Sequence, residues 1–263
     1  RKGQAIFYAA ILLLPILQFC LFYIYVNLNS FKIAFEKYSY DTNGYIWAEF
    51  ENFVQIFKDF KTVPYLVASV GNSIEVFLWT LIFGSFVAVI FSYYIFKAYT
   101  GSAFFKIMLY VPHIISTVVI VIMYMYFVDI AIPEIMEKAF GKRIEGLLAN
   151  QKTTQTTILF FSIWIGFGTQ VLLYTGAMSG ISDSVIESGK LDGITPMKEL
   201  VFIVIPMIWP TFVTFMVVNV AGLFTNQMSL FSFYGAGAEY SLYTFGYYLY
   251  AAAQKGTNVD YPY

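Results

Sequence analysis

The chain has 263 residues, of which 59% are hydrophobic, 21% aromatic and only 12% charged, with a formal net charge of -1. Soluble domains run at roughly 45–50% apolar and about 25% charged, so a soluble globule of this length has no interior large enough to hide the excess. No dense Lys/Arg tract points to nucleic acid. The single cysteine, Cys20, sits in an apolar run and supports neither a disulfide framework nor a Cys-based metal site.

Residues 6–28 are almost uninterrupted apolar sequence, long enough at about 1.5 Å per residue to cross about 30 Å of hydrocarbon. They predict a first transmembrane helix, with residues 1–28 as its domain. The chain opens on Arg1 rather than Met, so the natural N-terminus is expected upstream. Residues 29–71 read as an external loop. Within it Phe50, Phe53, Phe57 and Phe60 recur at helical spacing, which predicts a short amphipathic helix on the membrane surface.

Four more spans are expected at 72–96, 107–128, 156–174 and 200–223, each free of charge near its centre, where one Asp, Lys or Arg would cost about 2.5–3.5 kcal/mol. The fold class is therefore all-α integral membrane, a multi-span helical bundle. Arg1, Lys2 and the segment 97–106, with two lysines and no acid, place the short basic pieces on one side, the cytoplasm. Lys138, Lys142 and Arg143 run against that bias. This orientation makes 176–199 a cytoplasmic loop and puts the end after Leu223 outside. Residues 230–263 are rich in Tyr and Gly and broken by Glu239, Gln254 and Lys255, so no sixth span is read there.

The constellations of an enzyme are missing. The only histidine is His113, and Gly71-Asn72-Ser73-Ile74-Glu75 lacks the last glycine of a nucleophile elbow. Gly141-Lys142-Arg143 has neither the upstream glycine nor the following hydroxyl of a phosphate loop. Gly235-Ala236-Gly237 lacks the strand and helix of a dinucleotide site. We therefore expect no catalytic residue, no cofactor and no metal site. His113 follows Pro112 and reads as a hydrogen-bonded neutral imidazole at a helix kink; a proton relay would need a carboxylate at the same depth, which the neighbouring spans do not offer.

The loop from Gly176 reads GAMSGISDSVIESGKLDGITPMKELVFIVIPMIWP. Ser182-Asp183 caps a helix start. Ile181, Val185 and Leu191 supply apolar positions, and Gly189 and Gly193 allow a close approach or a turn. These residues fit two readings, an amphipathic loop on the headgroups or a docking element for a partner.

Glu187-Ser188-Gly189-Lys190-Leu191-Asp192-Gly193, followed by Ile205-Pro206 and Pro210, resembles the "EAA" loop of the membrane subunits of ATP-binding-cassette importers, with pattern Glu-Ala-Ala-x-x-x-Gly. Ser188 and Gly189 stand where alanines are usual. WAEFENFVQIF at 47–57 resembles the external Gly-Leu-x-Asn-Tyr segment of carbohydrate permeases, with Glu49 in place of glycine. Asn72-Ser73, Pro112, and the Gly-Ala-Gly and Tyr-Thr-Phe-Gly-Tyr-Tyr stretches near the end fit the same maltose-type subfamily.

The resemblance implies the type I importer permease fold, with residues 72–263 as its core, five spans visible and a sixth expected beyond Asp260-Tyr261-Pro262-Tyr263. It implies a bacterial inner-membrane subunit of a binding-protein-dependent sugar importer that works by alternating access. Its implied partners are a second permease forming a heterodimer, two cytoplasmic ATPases, an extracellular solute-binding protein, an oligosaccharide and the lipid bilayer. Glu187, Ser188, Gly189, Asp192 and Gly193 would couple to an ATPase. By spacing from Glu187, Ser162, Gly166, Thr169, Asn219 and Leu223 align with pathway-lining positions, and Asn219, Gly222 and Asn226 would form a partly polar stripe. The alternatives are a permease of the same mechanism for a polyamine, phosphate or another ion, and a non-catalytic membrane scaffold.

Overall fold

A computed structural model describes residues 2–39 and 41–255, which divide into two compact units at residue 64. The first unit opens with α1, a continuous helix over 2–34 with no buried residue over 11–34. It runs six residues past the expected end at 28. The polar residues there turn back on the helix: Asn27 Nδ2 donates to the Tyr23 carbonyl at 2.6 Å and Ser30 Oγ to that of Val26 at 3.3 Å. Satisfied in this way, they do not stop the helix.

A hairpin follows, β1 (Glu36–Ser39) paired antiparallel with β2 (Gly44–Trp47) in the register Glu36↔Trp47 and Ser39↔Gly44. Its turn ends on Asn43 at φ 48°, followed by Gly44, the residue pair that tight hairpins select. The amphipathic helix α2 is Glu51–Thr62, where the phenylalanine spacing predicts it. Asn52 Nδ2 ties it back by donating to the carbonyls of Ala34 at 3.0 Å and Glu36 at 2.9 Å. The Phe35 ring packs on Trp47, Phe50 and Phe53 at centroid distances of 5.5, 5.7 and 5.3 Å. Glu49 lies at φ 49°, in the left-handed region. That explains the glycine usual at this position in the family it resembles, since a Cβ there costs about 1–2 kcal/mol.

The second unit is helical: α3 (Pro64–Phe96), α4 (Ser102–Ile114), α5 (Thr117–Phe140), α6 (Gln151–Ser179), α7 (Asp183–Leu191), α8 (Pro196–Gly222), α9 (Leu230–Tyr234) and α10 (Phe245–Lys255). With α1, the helices α3, α5, α6 and α8 give five that are long and apolar enough to cross a membrane. The central post is α6, against which α3, α4 and α8 pack. Ser92 Oγ joins α3 to it through the Val171 carbonyl at 3.0 Å, and Tyr124 Oη joins α5 to it through that of Thr157 at 2.8 Å. A Cβ at Gly168 would collide with the carbonyl of Leu109, so α4 lies on α6 backbone to backbone.

The third expected span, 107–128, needs correction. It is broken at Ile115 and Ser116, whose ψ angles of 140° and 134° are extended. Pro112 precedes the break and removes a helical N–H donor. The first piece, α4, packs along α6 and the second, α5, touches it through Tyr124, so the chain spends 102–140 where the hydropathy pattern suggests a single shorter rod. Most of the other spans lie within longer helices than expected, α3 starting at Pro64 rather than 72 and α6 covering 151–179 rather than 156–174, while α8 runs from Pro196 to Gly222 against an expected 200–223.

Two buried clusters fill the unit. One gathers Ile120, Val121, Ile158, Phe161, Phe233, Tyr243 and Tyr247 around the first half of α6, where Phe161 lies 4.9 Å from the Tyr124 ring and 5.0 Å from that of Phe233. The other gathers Ala88, Val89, Tyr93, Tyr174, Met178, Ile186, Leu200 and Val204 around its second half. Beyond α8 the chain folds back onto the start of α3. Asn72 Nδ2 donates to the carbonyls of Ser241 and Tyr243, both at 2.9 Å, and Ser73 Oγ accepts from the Phe245 amide at 2.8 Å. Burial pushes the Tyr234 and Tyr243 phenols in this segment up from their ordinary value, and for Tyr234 the carboxylates of Asp129 and Glu239 add to it. The expected segment 260–263 and the sixth span after it lie outside the described residues.

Candidate functional site

The loop between α6 and α8 is an ordered element. α7 starts at Asp183, as the Ser182-Asp183 pair predicts, with an acid in its first turn where the helix dipole favours it. The expected side-chain cap is absent: Ser182 Oγ pairs instead with Ser184 Oγ at 3.0 Å. At the other end Gly193 adopts φ 73°, and the amides of Gly193 and Ile194 close onto the carbonyls of Lys190 and Gly189 at 3.0 and 3.1 Å. This left-handed stop satisfies carbonyls that the helix end would leave open. Pro196 then starts α8 with the φ a first helical residue needs.

The two faces of α7 differ. Ile181 and Ile186 are buried in the bundle with Met178, Leu200 and Val204. Gly189 is buried too, and a Cβ there would come within 2.8 Å of Ile203 Cδ1 and 3.3 Å of Ile194 Cγ2. The glycine standing where alanine is usual therefore brings α7 close to α8 rather than loosening it. Glu187, Ser188, Asp192 and Gly193 are exposed, and Glu187 has no ion pair among the described residues. Leu191, expected among the apolar anchors, is 89% exposed. It points away from the bundle. Ser184, Val185, Ser188, Gly189, Asp192 and Ile203 border an open groove of about 360 Å³.

The residues aligned with a pathway fall into two groups. Ser162, Gly166 and Thr169 occupy one face of α6 at helical spacing. Ser162 Oγ donates to Ser229 Oγ at 3.3 Å, Gly166 opens on free space, and Thr169 Oγ1 pairs with His113 Nε2. The imidazole at the kink is thus hydrogen-bonded, as its place after Pro112 predicts. Asn219 lies in the last turn of α8 and Leu223 just past its end, and no hydrogen bond among the described residues joins them to the α6 face. Asn219 Nδ2 is buried without a partner. The expected polar stripe of Asn219, Gly222 and Asn226 does not continue, because α8 stops at Gly222. Asn226 belongs to the turn beyond, where its Oδ1 accepts from the Met228 amide at 2.8 Å.

Charge also enters where the hydropathy reading had none. Glu199, in the first turn of α8, is 3% exposed. Its Oε1 accepts from Lys97 Nζ at 2.8 Å and from Tyr93 Oη at 3.1 Å. The signal for the pair was present in a lysine closing one span and a glutamate opening another.

The family described as "Binding-protein-dependent transport system inner membrane component" matches residues 80–255. The maltose/maltodextrin transport system permease protein MalF of Klebsiella aerogenes is 21% identical over 188 residues, 67% of this chain and 35% of that protein. The polygalacturonan/rhamnogalacturonan transport system permease protein YteP of Bacillus subtilis is 21% identical over 220 residues, 81% of this chain and 67% of that protein. The chain thus spans about a third of the length of the maltodextrin permease it matches. A chain of a bacterial alginate ABC transporter, solved in complex with an alginate pentasaccharide-bound periplasmic protein, superposes with a TM-score of 0.75 at 20% identity, covering 97% of this chain and 85% of that one. The chain belongs to the family of inner membrane components of binding-protein-dependent transport systems.

Proposed function

We propose that this chain is the membrane-spanning permease subunit of an ATP-driven, binding-protein-dependent oligosaccharide importer of the bacterial inner membrane. The observation that carries the reading is α7: one face is locked into the bundle through Ile186 and Gly189, the other exposes Glu187, Ser188, Asp192 and Leu191, and Ser188 and Asp192 border an open groove beside it. A loop resting on headgroups has no need of a packed glycine or a left-handed stop; an element that must pass force to a helix does. Relatives named for maltodextrin and polygalacturonan transport and a structural neighbour in complex with an alginate-loaded protein support an oligosaccharide as cargo.

In this reading α7 lies on the cytoplasmic side. It seats in a cleft of one of two ATPases, and a second, different permease completes the pathway. Glu187 accepts charge-assisted hydrogen bonds from a basic residue of the ATPase. Closure of the ATPase dimer drags α7, and the bundle rocks between two arrangements of rigid helices. Polar groups exposed at hydrocarbon depth face protein or water rather than lipid. The stripe of Ser162, Gly166 and Thr169 with His113 is therefore assigned to the pathway, together with Asn219 and Leu223.

The test is copurification from detergent with the attached chains identified, followed by ATP hydrolysis in the presence of a binding protein and a panel of glycans. Sugar-stimulated hydrolysis is expected. A chain that purifies without any nucleotide-hydrolysing partner contradicts the reading. Asn219→Ala tests the pathway. It removes a buried donor that has no partner, so stability should hold or rise by about 1 kcal/mol, while uptake or glycan preference changes. Unchanged transport would remove Asn219 from the pathway.

A further inference from the structure

Every other ion pair among the described residues has a side chain more than half exposed, whereas the side chains of Lys97 and Glu199 are 15% and 4% exposed. These residues lie 102 positions apart. Lys97 follows the last residue of α3, and Glu199 sits in the first turn of α8, directly after the α7 loop. Tyr93, one turn before Lys97, donates to the same Glu199 oxygen, and the ammonium stands 5.8 Å from the centroid of the Tyr93 ring. Both helix ends suit the charges they carry, a cation at the C-terminal end of α3 and an anion at the N-terminal end of α8.

Burying an ion pair gives weak stabilisation compared with apolar side chains of the same volume, but it fixes geometry, because each charge has one acceptable partner position. The surroundings make that geometry mechanical. α7 is packed on α8 at Gly189 and Ile203, about one turn past Glu199. α3 is joined to α6 by Ser92. Apart from the bonds to Glu199, the described residues link α3 to the α7–α8 corner by apolar packing, in the cluster that holds Val89, Tyr93, Ile95, Leu200 and Val204, and such surfaces can slide.

We infer that the Lys97–Glu199 pair, steadied by Tyr93, is a latch that makes the end of α3 and the α7–α8 corner move as one body, so that a pull on α7 reaches α3. Lys97 and Glu199 are positioning residues in this role and touch no substrate. The transport arm of the inference rests on the importer reading; the latch itself does not.

The test uses two readouts. After Cys20→Ser, spin labels at Tyr99→Cys and Leu191→Cys report the distance between the end of α3 and α7 in the purified chain. The latch predicts a narrow distribution that broadens in Lys97→Met/Glu199→Leu, a variant that keeps the volume apolar and leaves no buried charge alone. In proteoliposomes with its ATPases, partner permease and binding protein, the same variant should carry about tenfold less maltodextrin or oligouronide per ATP hydrolysed. The exchange Lys97→Glu/Glu199→Lys should restore at least part of that ratio, since the pair re-forms against both helix dipoles. A double apolar variant with the wild-type distance distribution and the wild-type ratio of uptake to hydrolysis overturns the latch. A wild-type chain with a narrow distribution that broadens in the variant, but with no glycan uptake, upholds the latch and overturns the importer reading instead.

Discussion

The two ends of α6 are closed in different ways. At its C-terminal end the bundle is sealed by side chains packing on side chains, Met178, Ile186, Leu200 and Val204, with one buried ion pair at the rim. At its N-terminal end an apolar cluster is reinforced by side chains holding backbone. Asn72, Ser73 and Thr244 each bond a main-chain group of the segment that returns after α8. Apolar packing is tolerant of direction and can slide, so in the latch reading the buried pair at the first end is what lets a stiff handle move as a block. Amide and hydroxyl bonds to carbonyls fix one chain path, which suits an end that must hold short irregular segments in place.

The sharpest way to break this contrast is Glu187→Lys, which leaves the packed face of α7 untouched and reverses the exposed charge. Membrane insertion and thermal stability should match wild type, while uptake falls by about two orders of magnitude, the scale of losing a charge-assisted contact worth about 3 kcal/mol. Normal uptake would mean that α7 is not the handle. Asn72→Ala attacks the other end. It strips the donor from two carbonyls at once, and thermal unfolding in detergent should show a loss of about 1–3 kcal/mol, with any transport defect following stability. A variant as stable as wild type would show that the returning segment is held by packing alone.

Gly189→Ala sharpens the picture of the handle. The new methyl meets the mobile tip of Ile203, so the cost should be about 1 kcal/mol, and relief by Ile203→Val in the same chain would identify the contact. The smallest effect is expected in the first unit. Glu49→Gly releases a left-handed residue and should stabilise the hairpin and α2 by about 1 kcal/mol, read as slower amide exchange over 36–62.

Much of this protein was legible in its residues. The spans follow from charge-free apolar runs, α2 from four phenylalanines, and the bounds of α7 from Ser182-Asp183 and Gly193. The hairpin was missed, although Asn43-Gly44 is a turn signal, because its strands are too short to show an alternating pattern. The break at Ile115 and Ser116 was hidden because hydropathy is indifferent to backbone angle. In the candidate site, sequence pattern found Glu187 and Gly189 but not their opposite fates, one exposed and one packed on Ile203. Leu191 was misjudged because an apolar residue at a helix end carries no information about which side has the bundle.

The sequence by itself determined what each segment had to avoid: apolar runs had to leave water, glycines could turn left-handed, and a missing set of catalytic groups left α7 as the element with something to offer. The tertiary structure alone decided which polar groups met. Lys97 and Glu199 lie in separate segments and look like ordinary ends of spans until the bundle folds α3 against α8. Burial then turns two solvated charges into one bond, because a charge taken from water has to find its partner or lose the stability of the fold.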